Sequence, residues 1–256
     1  MLANLNAGHT LTGADVGTRG LNGSKEEILT RQLVKELEKE FKAKGHKTNS
    51  VIVDHAATLD ESLNKQVILC NRINANMNIV IHFNSYLGKG YGTEIYTYRG
   101  KYLPEADRVL KNMSKLGFRN RGIKNAELAL INRTKAETLY IEVCFIDNPT
   151  DVAILNKYGL NTIAKAIVCG VLNIEFNVNG VSNNSNNNLY SLDGKLGVVT
   201  AKDGLNVRQG KSANSKILGV LKYGEKVRLY RKDGEWISIY YPKHGGYVHG
   251  DYIDIL

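Results

Sequence analysis

No stretch of this 256-residue chain approaches the roughly 20 consecutive apolar residues that a membrane span requires, so insertion into a bilayer is not expected. Met1 runs straight into LANLNAGH, with neither a charged n-region nor an apolar h-region, and a secretory leader is likewise not expected. Cysteine is scarce. The three present (Cys70, Cys144 and Cys169) are an odd number inside apolar-periodic segments, which fits buried free thiols made in a reducing compartment and not a disulfide framework. No pair of them has the spacing of a zinc knuckle. Acidic residues fall short of basic ones, 25 against 34, giving a net charge of +9, but the excess is spread along the chain. Without a clustered basic stripe or a nucleic-acid motif, no nucleic-acid partner is expected, and diffuse positive charge suits a solvated surface or attraction to an anionic polymer. AGHTLTGADVG lacks a G-x-G-x-x-G turn into a helix, which disfavours a nucleotide site.

Hydrophobic residues make up 43% of the chain, enough to fill a core in one or two domains. One change of composition divides it: residues 177–194 are dominated by Asn, Ser and Gly and read as a flexible linker between a domain at 1–176 and another at 195–256. Before the linker, strand-like and helix-like segments alternate. Strands are expected at 2–7, 50–54, 78–83, 94–98, 128–131 and 138–144, and helices at about 25–44 (with Ser24 as N-cap), 59–75, 104–117 and 160–173. The fold class is therefore α/β, a mostly parallel sheet flanked by helices. After the linker come only short β-like runs with Gly and Asp turns, the pattern of a small all-β barrel.

Open α/β sheets bind ligands beyond the carboxyl ends of their strands. His9 follows the first strand, Glu26 lies in the first turn of the next helix, and His82 and Glu142 sit near the ends of two later strands, so the four can converge. Two imidazoles and a carboxylate can hold a metal ion, leaving one carboxylate for acid/base work. Each has a plainer reading as well. His9 can cap a loop, Glu26 can favour a helix N-terminus, and His82 or Glu142 can be a hydrogen-bonded buried polar group. Sequence spacing leaves both readings open.

The stretches NAGHT, KEEILTRQLVKELEKEFKAKGHK, IVIHFNS, GTEIYTY, RGIK and TLYIEVCFIDNPTD resemble the zinc-dependent N-acetylmuramoyl-L-alanine amidases of bacterial autolysins and phage endolysins. The resemblance implies one Zn2+ held by His9, Glu26 and His82, with Glu142 catalytic and Asn84 a substrate contact. Glu27 competes with Glu26; the usual distance back from the helix-ending Gly45 favours Glu26. Thr30 departs from the Asn common in that place, and Glu94 matches a supporting position. His46, His55, His244 and His249 match no family ligand and read as surface or packing residues.

The tail, from Leu-Asn-Val-Arg-x-Gly through Gly-Glu-Trp to Gly-Tyr-Val, is similar to bacterial SH3-like domains, which implies cell-wall binding. Trp236, Ile237 and Ile239 fit a barrel core at least as well as a ligand contact. Together the resemblances imply an endolysin-like peptidoglycan hydrolase that cuts between muramic acid and L-alanine. With no leader, it is expected to accumulate in the host cytoplasm and reach the wall after membrane permeabilisation. The alternatives are a zinc peptidase acting on the stem peptide and a wall-binding protein without catalysis.

Overall fold

A computed structural model describes residues 1–178, 192, 194–233, 235–242 and 245–256. The chain divides into two compact units, Met1–Ser185 and Asn186–Leu256. The division falls inside the 177–194 stretch, most of which lies outside the described residues, as does His244.

The first unit runs β1 (Leu2–Ala7), β2 (Thr12–Gly13), α1 (Glu26–Ala43), β3 (Lys47–Val51), β4 (His55–Ala56), α2 (Leu59–Asn71), β5 (Met77–Asn84), β6 (Thr93–Tyr96), α3 (Pro104–Leu116), β7 (Asn120–Lys124), α4 (Ala129–Asn132), β8 (Thr138–Phe145) and α5 (Pro149–Leu172). Six strands form one sheet in the order β3-β1-β5-β8-β6-β7, and β2 pairs with β4 alone. Every neighbouring pair in the large sheet is parallel except β6 with β8. The central strands are buried along nearly their whole length, as strands covered on both faces must be. Helices α1, α3 and α5 pack together, as do α2 and α4.

Helix α1 buries Leu29, Leu33, Leu37 and Phe41, while Ile28 at the edge of that stripe stays 38% exposed. Ser24 does not cap it. The N-cap is Lys25, without a side-chain cap bond, and the Ser24 hydroxyl donates to the Leu21 carbonyl instead. Glu26 and Glu27 in the first turn complement the helix dipole. At the other end Gly45 adopts a φ of 74°, letting the His46 amide reach back to the Phe41 carbonyl.

Several expected elements differ. Residues 128–131 form no strand: Ile131 and Asn132 amides bond to the Leu128 carbonyl and open α4, the ambiguity a short apolar run carries. Helix α2 ends at Asn71 instead of Ala75, with Ile73 partly exposed beyond it, and β3 lies earlier than 50–54. Asn148 accepts bonds from the Thr150 and Asp151 amides and starts α5 well before residue 160; Gly159 then breaks its helical path with a φ of 73°. Strand β7 was not foreseen. Nor were the buried Asn4 and Asn78, which link β1 to β5 through an amide bond and carry it on to Thr138 of β8.

The second unit contains β9 (Leu196–Val199), β10 (Leu205–Arg208), β11 (Ile217–Leu221), β12 (Lys226–Asp233), β13 (Trp236–Ile239), β14 (Gly246–His249) and β15 (Ile253–Ile255), all pairings antiparallel. Ile237 and Ile239 lie in its core with Val207, Leu229 and Val248. Trp236 does not. It alternates to the other face of β13, partly exposed, edge-on to His249 at 5.3 Å.

Candidate metal and catalytic site

The chain leaves β1 through Gly8 into His9, which takes the left-handed conformation at φ 68°. That conformation is costly for a side chain bearing a Cβ and persists only where surroundings enforce it. Arg31 does so: its guanidinium donates to the carbonyls of His9, Val53 and Glu27, while the Thr30 hydroxyl donates to the Gly8 carbonyl. Thr30, the departure from the family pattern, thus holds the same loop. Gly8 itself must lack a side chain, because a Cβ there would lie 2.2 Å from His82 Nε2.

Donor atoms of His9, Glu26 and His82 all lie within 4.8 Å of one another. Glu26 is the hub: Oε2 is 3.2 Å from His9 Nε2 and Oε1 is 2.9 Å from His82 Nδ1. The amides of Thr18 and Phe83 also donate to its two oxygens, fixing the carboxylate plane. Glu27 turns elsewhere, to Arg19 at 2.9 Å. Asp15 completes the arrangement. Its Oδ1 accepts a hydrogen bond from His9 Nδ1–H at 2.9 Å and its Oδ2 accepts from Ser62, which aims His9 Nε2 at Glu26. Sequence reasoning missed Asp15, although a histidine used as a ligand needs an acceptor for its other nitrogen, and TGAD supplies one six residues on.

Burial opposes charge on His9, but bonds to Asp15 and Glu26 outweigh it and raise its pKa to about 10. Burial also works against ionised Glu26, yet His82 and His9 hold it well below the usual carboxylate range. His82 goes the other way, its burial dominating over Glu26, so it stays neutral. Tyr140 stacks on the His82 ring at 4.5 Å and 11°.

Glu142 lies in register with His82 across β5 and β8, and with Glu94 across β8 and β6. Its Oε2 is buried without a hydrogen-bond partner among the described residues. Burial first, then the charges of Glu26 and Glu94, push its pKa up to about 8. A cavity of about 280 Å³ joins His9, Glu26, His82, Asn84, Tyr140 and Glu142. Asn84 is held at its edge by Glu94, 3.2 Å away, and Glu94 is itself bonded to Arg121, Lys124 and Tyr96. The sequence-predicted residues therefore all meet at one place. His46, His55 and His249 bond or stack elsewhere, with Met1, Thr12 and Trp236.

Two imidazoles and one carboxylate suit a borderline cation such as zinc and leave a coordination position open, as catalytic zinc sites do. The donor set fits.

A family model described as N-acetylmuramoyl-L-alanine amidase matches residues 4–173, and one described as bacterial SH3 domain matches residues 203–254. An uncharacterized 38.4 kDa protein of Clostridium perfringens is 31% identical over 62% of this chain and 50% of its own length. The endolysin of Bacillus phage SPP1 is 30% identical over 66% of this chain and 64% of its own. The chain thus spans half to just under two thirds of these curated relatives. Among solved structures, the catalytic domain of CD27L endolysin targeting Clostridia Difficile superposes with a TM-score of 0.64 at 30% identity, covering 69% of this chain and 99% of that one. With the amidase model spanning 170 residues from 4 to 173, well over half its length, this chain belongs to the N-acetylmuramoyl-L-alanine amidase family.

Proposed function

We propose that this chain is a peptidoglycan hydrolase of the endolysin kind, cutting the amide between N-acetylmuramic acid and the L-alanine of the stem peptide. The catalytic domain is 1–176, the tether 177–194 and the wall-binding SH3-like domain 195–256. His9, Glu26 and His82 hold one Zn2+, and Glu142 is the acid/base. The observation carrying this reading is the convergence of three donor side chains beside a buried, unpartnered Glu142 oxygen. Family membership and the SPP1 endolysin supply the substrate class.

Zinc bound there would supply a Lewis acid that polarises the scissile carbonyl and lowers the pKa of water to about 7. The protein's own groups do the rest. Asp15 keeps the proton on His9 Nδ1 so that Nε2 presents its lone pair, and the Thr18 and Phe83 amides hold Glu26 in place. Glu142, whose buried Oε2 has no hydrogen-bond partner among the described residues, takes the proton of the attacking water and returns one to the departing alanine nitrogen, which is a poor leaving group until protonated. A carboxyl raised toward neutrality by burial suits both transfers. Asn84, oriented by Glu94, contacts the substrate at the cavity edge.

The experiment is metal analysis coupled to identification of the bond cut. About one zinc per chain and new alanine amino termini in digested wall are expected; new termini inside the stem peptide would refute the amidase assignment.

A further inference from the structure

Between β5 and β6 the chain crosses directly out of the catalytic cavity, since Ser85 lines that cavity and Tyr86 and Leu87 follow it. Leu87 is 84% exposed, the most exposed large apolar side chain among the described residues, and Tyr86 is 63% exposed. Exposed apolar pairs are ordinarily carried by loops free to turn them inward. This loop is not free. Asp147 Oδ2 accepts from the Ser85 hydroxyl at 3.1 Å and from the Tyr86 and Gly88 amides at 2.8 Å each. Asn148 donates to the Gly88 carbonyl at 2.9 Å, and Ile146 donates to that of Asn84 at 2.9 Å. Gly90 sits so close to the Phe145 ring that a Cβ would lie 2.1 Å from it. Leu87 is held in the left-handed region, at φ 49°, a conformation leucine avoids unless its neighbours impose it.

A braced, strained turn that presents a tyrosine and a leucine outward gains nothing in the core, because neither side chain is buried. Beside a cavity of only about 280 Å³, which cannot enclose a polymer, such a turn has a use: the strand being cut must run over the rim.

We infer that Tyr86 and Leu87 are a substrate platform that grips the glycan strand flanking the scissile bond, setting a preference for polymeric over monomeric substrate; this rests on the peptidoglycan reading above. Tyr86 and Leu87 themselves carry no charge and fit the glycan better than the stem peptide; the cation of this turn, the exposed Lys89, stands two residues beyond Leu87. A tyrosine ring has an apolar face and a polar hydroxyl end, matching a sugar that shows C–H groups on its face and hydroxyls at its edge, whereas the peptide brings carboxylates that want cations. The platform is continuous with the catalytic cavity through Ser85, so gripping the strand places the lactyl amide near Glu142.

The test uses the full chain and two soluble substrates, a muramoyl-peptide with one sugar and a glycan oligomer bearing the same peptide. Leu87→Gly keeps the turn, since glycine accepts this φ, and Tyr86→Ala removes the ring; Ile68→Ala, which removes a side chain 65% exposed on α2, is the control. In both platform variants the kcat/KM ratio of oligomer to monomer falls by at least about fivefold through a rise in KM for the oligomer, and the control keeps the ratio of the unaltered protein. The thermal midpoint of Leu87→Gly is not lowered. An unchanged ratio, or equal losses on both substrates, overturns the platform. Failure of the unaltered protein to cut either substrate is a different result, which removes the amidase reading and the platform with it.

Discussion

His82 and Glu142 stand in register on neighbouring parallel strands, one bonded into the Glu26 hub and the other with a buried oxygen bonded to nothing among the described residues. On the proposed reading the contrast divides the labour of the site: bonded groups are positioned, and the unbonded one is available to move a proton. Leaving a carboxylate oxygen buried and unpaired costs folding free energy, so its retention points to use.

Glu142→Gln should therefore reduce wall hydrolysis by about 10²- to 10⁴-fold, the range for losing a general acid/base. Zinc content should stay near that of the unaltered protein and the thermal midpoint should not drop, because a buried, unsatisfied acid has been replaced by a neutral isostere. Substantial residual lysis would count against its role.

Asp15→Asn should weaken zinc binding by about 10- to 100-fold, measured by chelator competition, with activity partly recovered in excess zinc. The amide is a neutral and weaker acceptor for the His9 Nδ1–H, so the lone pair on Nε2 is less well presented. Affinity equal to that of the unaltered protein would remove Asp15 from the site.

Zinc uptake should release protons. In the metal-free protein His9 has its pKa raised to about 10 from an unfolded value near 6.5, so it is charged at pH 8 and must deprotonate to bind metal. Calorimetry in buffers of differing ionisation enthalpy should count at least one proton released per ion at pH 8, the His9 proton with a further contribution from Glu142 and from water at the ion. The same shift sets a stability window. A raised folded pKa stabilises fully below the unfolded value of about 6.5 and is lost as pH climbs through about 10, so the metal-free midpoint should fall over that interval.

Gly8→Ala should destabilise the first unit by about 1–3 kcal/mol and abolish tight zinc binding together, since the new Cβ would fall 2.2 Å from His82 Nε2. Denaturant melts and metal analysis check this; loss of stability with intact metal affinity would contradict the coupling.

Removal of residues 177–256 should lower wall binding while soluble fragments are still cleaved at the rate of the full chain, because a tether raises local concentration without adding a contact at the catalytic site. Sedimentation with purified wall and a fragment assay separate the two effects.

Much of this molecule is written in local patterns. The apolar runs around Leu5, Ile79 and Ile141 foretell buried strands, the Leu29–Leu33–Leu37–Phe41 stripe foretells α1, and His9, Glu26, His82 and Glu142 stand near strand ends and at a helix start, from which they can converge. Those signals are short-ranged, fixed by 3.6- and 2-residue periods and by the side chains at element ends. Tertiary structure alone decided that Asp15 would meet Ser62 and that Glu94 would lie beside Glu142 on an antiparallel neighbour, while the helical turn at 129–132 and the outward Trp236 were choices the local pattern left open. The Asp15–Ser62 and Glu94–Glu142 relationships depend on contacts across dozens of residues or on register between strands, where a slip of one position sends every side chain to the opposite face. Periodicity within a segment carries no information about which neighbour it will pair with.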